Sequence, residues 1–513
     1  RSRRRRSRAD RTPGFLNRLF RAKLPMQLLV MALVATVLVP AAMPMSPEIP
    51  PANAVLVVAM APAAMIAAAA WFSSWAAMRG VRAGRGSAPQ LLRIRLRGLQ
   101  WAAVVAQAVA VFGFGWLDWL RREIGDWPLL DELVALLPPI AAIAACWWAA
   151  HPMERLLRGD SISRSRFVMT ELRNQLGLLG GPALLAIGAS EVASLLAVDW
   201  FGEGSTIAML AAPAAIVAVM LFAPSLMVRV LDTDSMPDDT NREVLERVLS
   251  DNGVRMSRIL VWRTGGVLLN GAVVGFMPAA RYLLLTDAVL ERMPIESLRA
   301  IVAHEVGHVK RRHVPWMLLT TLATVAAAVL VVDAAVPIAN AMLAPQTVDP
   351  ILLAAAGVED EPDGTLGLVE AGGAAAVLAI VLPIFGWISR RFEQQADAFA
   401  AQYLSVVGPS SASSWVGVGP ERRLKTPETA LVTPRAVLAM CRALGRVAEF
   451  NGVSPAAPSW RHGSIRWRQR NLVQIVSQPI LSLPIDRKVR WIKAVGTVLL
   501  LACVSIEVAR SLV

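Results

Sequence analysis

Residues 294–343 join a polar helical pattern to a long apolar run, and they read PIESLRAIVAHEVGHVKRRHVPWMLLTTLATVAAAVLVVDAAVPIANAML. After Pro294, apolar side chains recur at helical spacing, which predicts an amphipathic helix. Residues 316–343 are almost entirely apolar, and about 20 such residues suffice to cross a hydrocarbon core of about 30 Å. The stretch therefore predicts a polar helix beside a membrane, followed by a membrane crossing.

The composition of the whole chain indicates many such crossings. The 513 residues are 55% hydrophobic and 18% charged, and the mean hydropathy is +0.50. Soluble proteins are typically about 45–50% apolar and about 25% charged. The composition thus excludes a string of soluble domains, and it excludes intrinsic disorder. Nine apolar stretches are candidate membrane helices: 24–45, 53–78, 98–120, 129–150, 176–198, 206–229, 316–343, 371–389 and 492–510.

The loops between these stretches alternate in charge. Residues 1–23 carry ten Lys or Arg, 79–97 carry six and 151–173 carry five, whereas 46–52 and 199–205 carry none. Because cytoplasmic loops carry the excess of Lys and Arg, the N-terminus is predicted to be cytoplasmic. A net charge of +14 is then better explained by an anionic membrane surface than by nucleic acid, which is not an expected partner.

The same alternation places the polar segments 230–315 and 390–485 in the cytoplasm. The prediction is an integral protein of the bacterial inner membrane with its polar domain on the cytoplasmic side. A cleaved signal peptide over residues 1–54 is an alternative. However, the apolar run there exceeds the usual length of about 7–15 residues, which favours an uncleaved anchor.

The polar helix contains His304-Glu305-Val306-Gly307-His308. Side chains four residues apart lie on one helix face, so both imidazoles can reach one metal ion. Glu305 lies beside them, where it can take a proton from a water that the metal activates. Two ordinary solvated histidines are the alternative, but the apolar face before His304 favours a packed, functional helix.

A catalytic zinc site of this kind needs a third protein ligand. Residues 390–403 form a helical pattern in which Glu393 and Asp397 are four apart. Glu393 could bind zinc directly, and Asp397 could hold a ligating histidine from behind. The chain crosses the membrane over 316–343 and returns over 371–389, so it comes back to the same membrane face. Glu393 can therefore lie close to His304 and His308.

Short β candidates precede the metal-binding helix. Residues 257–264, 268–276 and 281–285 are predicted strands, and 238–250 is a predicted amphipathic helix. The fold class is thus mainly α: a multi-pass helical membrane protein with a zincin-like α+β metallopeptidase domain that contains a small β-sheet. The predicted domains are a basic tail (1–23), six membrane helices (24–229), two peptidase parts (230–315 and 390–485) around a membrane hairpin (316–389), and a possible last membrane helix (490–511).

At these residues the sequence resembles the integral-membrane zinc metallopeptidases, a family that includes the CAAX prenyl protease type I and HtpX. The match consists of His304–His313, a membrane hairpin, and the Glu-x-x-Ala-Asp motif within residues 391–400. The resemblance spans roughly residues 235–475. It implies one zinc ion bound by His304, His308 and Glu393. It also implies Glu305 as general base, with Asp397 orienting a ligand.

Two looser matches follow from the same resemblance. Asn270-Gly271-Ala272 is similar to an edge strand that holds the substrate backbone in the family, and strand addition would present an extended peptide predictably. In His462-Gly463-Ser464-Ile465-Arg466-Trp467-Arg468, His462 would donate to the developing oxyanion and Arg468 would pair with a nearby acid. Gly463 stands where the family has proline, and a basic solvated loop remains the alternative interpretation.

The sequence therefore predicts a membrane-embedded zinc endopeptidase that acts on peptides or on membrane-associated proteins. Two alternatives stay open. One is a catalytically inactive membrane scaffold that keeps the metal site, and the other is a protease that processes prenylated proteins. The sequence makes no prediction of an oligomeric state.

Overall fold

The computed structural model describes residues 32–33, 36, 51–158, 163–202, 205–266, 268–343, 364–407, 430–451 and 453–511. The predicted crossing over 24–45 lies almost entirely outside these residues. The chain forms two compact units. The first contains Arg1–Pro237, Met256–Arg292 and Arg446–Ser454, and the second contains Asp238–Arg255, Met293–Gly445 and Pro455–Val513.

The first unit is a helical bundle that carries a sheet. Its helices are α1 (Ala52–Arg82), α2 (Ala88–Ala108), α3 (Trp116–Ile124), α4 (Leu130–Ala135), α5 (Leu137–Arg158), α6 (Arg164–Gln175), α7 (Gly181–Phe201) and α8 (Thr206–Val230). α1, α2 and α5 pack together, and α7 pairs with α8. The helical run breaks at Leu136, because Pro138 and Pro139 cannot donate backbone hydrogen bonds and belong at the first turn of a new helix.

The sheet of the first unit has four strands, β1 (Thr233–Ser235), β2 (Arg258–Trp262), β3 (Gly271–Val274) and β4 (Tyr282–Thr286), in the order β1-β2-β4-β3. β2 and β4 are parallel, and β1 and β3 pair antiparallel on the outside. Leu283, Leu284 and Leu285 of the central β4 are buried, as expected for a strand covered on both faces. α10 (Asp287–Arg292) follows β4 directly.

The second unit contains the predicted metal-binding helices. Its helices are α9 (Thr240–Asp251), α11 (Ile295–Lys310), α12 (His313–Leu343), α13 (Gly364–Val407), most of α14 (Pro434–Phe450), α15 (Ile465–Gln474) and α16 (Pro484–Ser511). α11 packs between α9 and α13, while α12, α13 and α16 pack on one another. Predicted segment 230–315 is therefore divided between the two units, since its sheet lies in the first and α11 in the second.

Six helical stretches of the described chain are long and apolar enough to cross a membrane: Ala52–Arg82, Ala88–Gly113, Gly181–Phe201, Leu210–Val230, His313–Ala335 and Ile480–Arg510. The predicted stretches 129–150 and 371–389 are helical but are not among these six. Several helices begin earlier than the apolar runs, because polar first turns extend them. The fold class is confirmed as a mainly α, multi-pass membrane protein with a small mixed sheet.

Candidate metal centre

α11 carries both predicted histidine ligands on one face. Leu298, Val302 and Val306 are fully buried along the helix, so packing fixes its rotation. His304 is 7% exposed, and its Nε2 atom lies 3.2 Å from Nε2 of His308. The i, i+4 spacing therefore aims two ring nitrogens at one point, as the sequence predicts.

α13 supplies a carboxylate to the same point. A Cβ atom added at Gly307 would lie 3.1 Å from the Phe399 side chain and 3.3 Å from Cα of Ala396. The glycine thus lets α11 and α13 approach closely. Glu393, one turn before Ala396, places Oε2 3.6 Å from Nε2 of His304 and Oε1 3.6 Å from Nε2 of His308.

The three side chains suit a zinc ion. Ligand atoms of His304, His308 and Glu393 all lie within 4.8 Å of one another. Ligands placed tetrahedrally at about 2.0–2.1 Å from zinc would lie about 3.3 Å apart, close to the separations found. Two imidazole nitrogens and one carboxylate oxygen form a donor set that zinc binds readily. The cluster fits a metal site with one ligand position left for water or substrate.

Asp397 holds His304 from behind. Its Oδ1 lies 2.9 Å from Nδ1 of His304, and a carboxylate so close favours the tautomer with the proton on Nδ1, which leaves Nε2 for the metal. Burial alone lowers the pKa of His304, but the hydrogen bond and charge of Asp397 outweigh it and raise this pKa above its usual value. The arrangement orients the ring and increases its basicity.

Arg468 joins the two carboxylates. It donates to both oxygens of Asp397, at 2.8 and 2.6 Å, and its Nη1 lies 3.3 Å from Oε2 of Glu393. Burial raises the pKa of each acid, but the charge of Arg468 is the largest opposing effect and holds both pKa values below their usual range. Glu393 and Asp397 are therefore anionic, as ligand and orienting group must be.

His462 reaches the same cluster from a loop. Its Nδ1 lies 3.0 Å from Oε1 of Glu393, and its side chain is 52% exposed. The following Gly463 has φ 73°, whereas proline is restricted to φ near about −65°. This loop thus has a backbone conformation that the family's proline could not adopt, and it still brings the histidine to the metal cluster.

Behind His308 lies a chain of polar side chains for which the sequence provided no role. Nδ1 of His308 is 2.9 Å from Nδ1 of His313, and Nε2 of His313 is 2.9 Å from Oε1 of Gln395. Gln395 in turn donates to Oδ1 of Asp486 at 2.6 Å. The five-residue spacing from His308 to His313 does not suggest a contact, because the two lie on different helices. Arg312, with φ 53°, turns the chain between them.

The two histidine ligands differ in proton affinity. Burial lowers the pKa of His308 to about 4, in contrast to the raised pKa of His304. Since zinc binds only neutral imidazole, His308 is ready for the metal across the neutral range. In this range, protons therefore compete with the metal only at His304.

Glu305 lies in the ligand-bearing turn of α11 and is partly buried. Its charge contributes to raising the pKa of Arg468, so it lies near the cluster without replacing a ligand. Asn270, Gly271 and Ala272 lie in the first unit, where β3 forms an edge of the sheet. Their predicted role in holding substrate stays a prediction.

The chain can be placed among known proteins on this basis. Residues 242–413 match Peptidase family M48. This segment contains all three candidate ligands, and the match confirms the predicted resemblance to metallopeptidases. This match, together with the six membrane-capable helices of the described residues, supports a membrane metallopeptidase, which is a hydrolase. The solved structures that are similar include the crystal structure of S. mikatae Ste24p, with a TM-score of 0.41, 12% identity, and coverage of 82% of this chain and 98% of that one. No curated protein matches the chain.

Proposed function

We propose that this protein is a membrane-embedded zinc endopeptidase that hydrolyses peptide bonds with a glutamate general base. The observation that carries the proposal is the convergence of His304, His308 and Glu393 to within 4.8 Å, in a segment that matches Peptidase family M48. The partly buried Glu305 on the same turn supplies the group that such a reaction needs besides the metal.

Each side chain of the site has a separate role in the proposed reaction. When bound, zinc supplies Lewis-acid polarisation of the scissile carbonyl and lowers the pKa of water towards about 7. Glu305 takes the proton of the attacking water and delivers it to the leaving amine, a role that typically contributes about 10²–10⁴-fold. Asp397 and Arg468 keep His304 in the tautomer that leaves Nε2 free.

His462 is proposed to stabilise the developing negative charge. Because its Nδ1 faces Glu393 at 3.0 Å, Nδ1–H is the donor to that carboxylate. A second proton on Nε2 then exists only in the imidazolium form, and this form is the one that can donate to an oxyanion. Its half-exposed ring, unlike the buried His304, leaves Nε2 able to meet a substrate.

The substrate is proposed to be a peptide or a membrane-associated protein at the cytoplasmic face of a bacterial inner membrane. The alternation of basic and non-basic loops supports this orientation. β3 is an edge strand beyond which no further strand is paired among the described residues. It is therefore suited to bind an extended peptide by strand addition.

A cleavage assay tests the proposal. The full chain, purified in detergent and reconstituted, is incubated with casein and with a misfolded membrane protein. Chelation should abolish cleavage of both, and added zinc should restore it. If the protein contains stoichiometric zinc and cleaves neither substrate nor a prenylated peptide, it is a scaffold and the proposal is wrong.

A further inference from the structure

A large apolar cavity lies among three helices of the second unit, on the membrane side of the metal cluster. It has a volume of about 680 Å³, within the range of about 300–1,000 Å³ that small-molecule sites occupy. Its walls include Thr320 and Val331 of α12, Ile380 and Ile388 of α13, and Val495 and Leu499 of α16. A site of this size, open between membrane helices, must be filled by something apolar.

The depth of the cavity corresponds to one leaflet of a bilayer. Along α13 the lining extends from Ile380 to Arg391, and along α16 it extends from Leu499 back to Lys488. Each span covers 11 residue steps, which at about 1.5 Å per residue is about 16 Å. That is roughly half of a hydrocarbon core of about 30 Å. An acyl chain of one leaflet therefore has a matching length.

The two ends of the cavity differ in charge. Arg391 and Lys488 line one end together with Trp387 and Trp491, and tryptophan is enriched at the level of the lipid headgroups. Arg391 donates to the uncharged amide of Gln394 at 3.3 Å. Lys488 forms no ion pair with any residue that the structure describes. Among these residues no acidic side chain lines the cavity, so its positive end lacks a counter-charge.

We infer that this cavity is a specific site for one anionic phospholipid. The headgroup phosphate lies between Arg391 and Lys488, and an acyl chain occupies the groove towards Leu499. Basic pockets between membrane helices on the cytoplasmic side are suited to anionic headgroups. A zwitterionic lipid would bring a cationic group along with its phosphate and so match the two cations less well, and an apolar substrate helix would bring no anion. The inference does not depend on peptidase activity.

Native mass spectrometry of the full chain tests the site. The purified protein is incubated with equal amounts of phosphatidylglycerol and phosphatidylcholine that have identical acyl chains. Each cation near a membrane surface favours anionic lipid by about fivefold, so with two cations the wild type should retain phosphatidylglycerol about 25-fold better. R391Q/K488Q should lose this preference. R487Q/R490Q, which removes two exposed arginines of α16 that do not line the cavity, should keep it.

A second pair of variants tests the apolar part of the site. V495W fills the groove and should remove most of the retained lipid of either kind. V498W places the same ring on an exposed position of α16 outside the cavity and should have no effect. Equal retention of the two lipids by wild type, or equal loss in R487Q/R490Q and R391Q/K488Q, overturns the inference. So does undiminished retention by V495W. Size-exclusion profiles identify any variant that fails to fold.

Discussion

Nδ1 of His308 lies 2.9 Å from Nδ1 of His313, so one imidazole must donate to the other. If Nε2 of His308 binds the metal, its Nδ1 carries the proton and His313 accepts it. His313 then donates from Nε2 to Oε1 of Gln395, and Gln395 donates to Asp486. Every hydrogen bond in this chain points away from the metal cluster, so one consistent set of tautomers satisfies all four side chains.

Removing the acceptor at His313 should weaken zinc binding. H313F keeps the ring stack on Phe392, which has a centroid separation of 4.7 Å, but leaves the Nδ1 proton of His308 without a partner. Removing a side chain that hydrogen-bonds to a metal ligand typically lowers metal affinity by about 10–100-fold. Competition with a calibrated zinc chelator measures the loss. H313N retains an acceptor near the position of Nδ1 and should recover part of the affinity.

Q395L interrupts the same chain one step further from the metal, and a smaller loss of affinity is expected. If H313F binds zinc as tightly as wild type, His313 has a packing role only and does not position the ligand. The measurement uses zinc affinity rather than activity, so it stays informative for variants that no longer cleave substrate.

Replacing Glu305 by Gln should separate metal binding from catalysis. The amide is nearly isosteric and leaves the three ligands untouched, but it cannot take a proton from water. We expect a full complement of zinc and a loss of kcat by about 10²–10⁴-fold, measured on a quenched fluorescent peptide. E296Q changes an acid in the first turn of the same helix and should cleave normally. Near wild-type cleavage by E305Q would rule out the proposed base.

The Asp397–Arg468 pair should stabilise the fold even without metal. Asp397 is 2% and Arg468 is 8% exposed, and removing one member of a buried pair typically costs about 3–5 kcal/mol. D397N in the metal-free protein should therefore unfold at a clearly lower temperature, followed by tryptophan fluorescence in detergent. E246Q, which breaks an exposed pair with Arg242, should change little. Equal unfolding temperatures for wild type and D397N would show that the buried ion pair does not stabilise the fold.

Zinc affinity should depend on pH in two separate steps. The pKa of His304 is raised above its usual value of about 6.5, so protons compete for this ligand first as the pH falls. One proton per zinc gives a tenfold loss of affinity per pH unit. A second proton competes only near the pKa of His308, about 4. Between these two pKa values, a plot of the logarithm of zinc affinity against pH should have a slope of one. Two ordinary histidines would instead give a slope of two below about pH 6.

In D397N the pKa of His304 should fall, because the carboxylate that raises it is gone. The onset of the first step should then move to lower pH, even though affinity at neutral pH decreases. An unchanged onset would show that Asp397 does not control the proton on His304.

Much of the centre could be predicted, because its main signals are local. His304 and His308 share a helix face by their spacing, and so do Glu393 and Asp397. The membrane hairpin between them made their meeting plausible. The apolar runs predicted most crossings, although not where each helix begins, because polar turns extend several helices beyond the apolar residues.

The rest depends on contacts between distant parts of the chain. Gln395 meets His313 across 82 positions and Asp486 across 91, and no periodic pattern relates them. Arg468 also contacts both Asp397 and Glu393 only because α15 packs on α13. Likewise, β1 has only three residues, too few to show strand periodicity.

The metal content of the purified protein, determined by inductively coupled plasma mass spectrometry, tests the central claim most directly. We expect one zinc ion per chain in wild type and in E305Q, and a large loss in H304A and E393A. If wild type contains no zinc after purification and reconstitution with the metal, or if H304A and E393A retain a full equivalent, these side chains do not form the metal site.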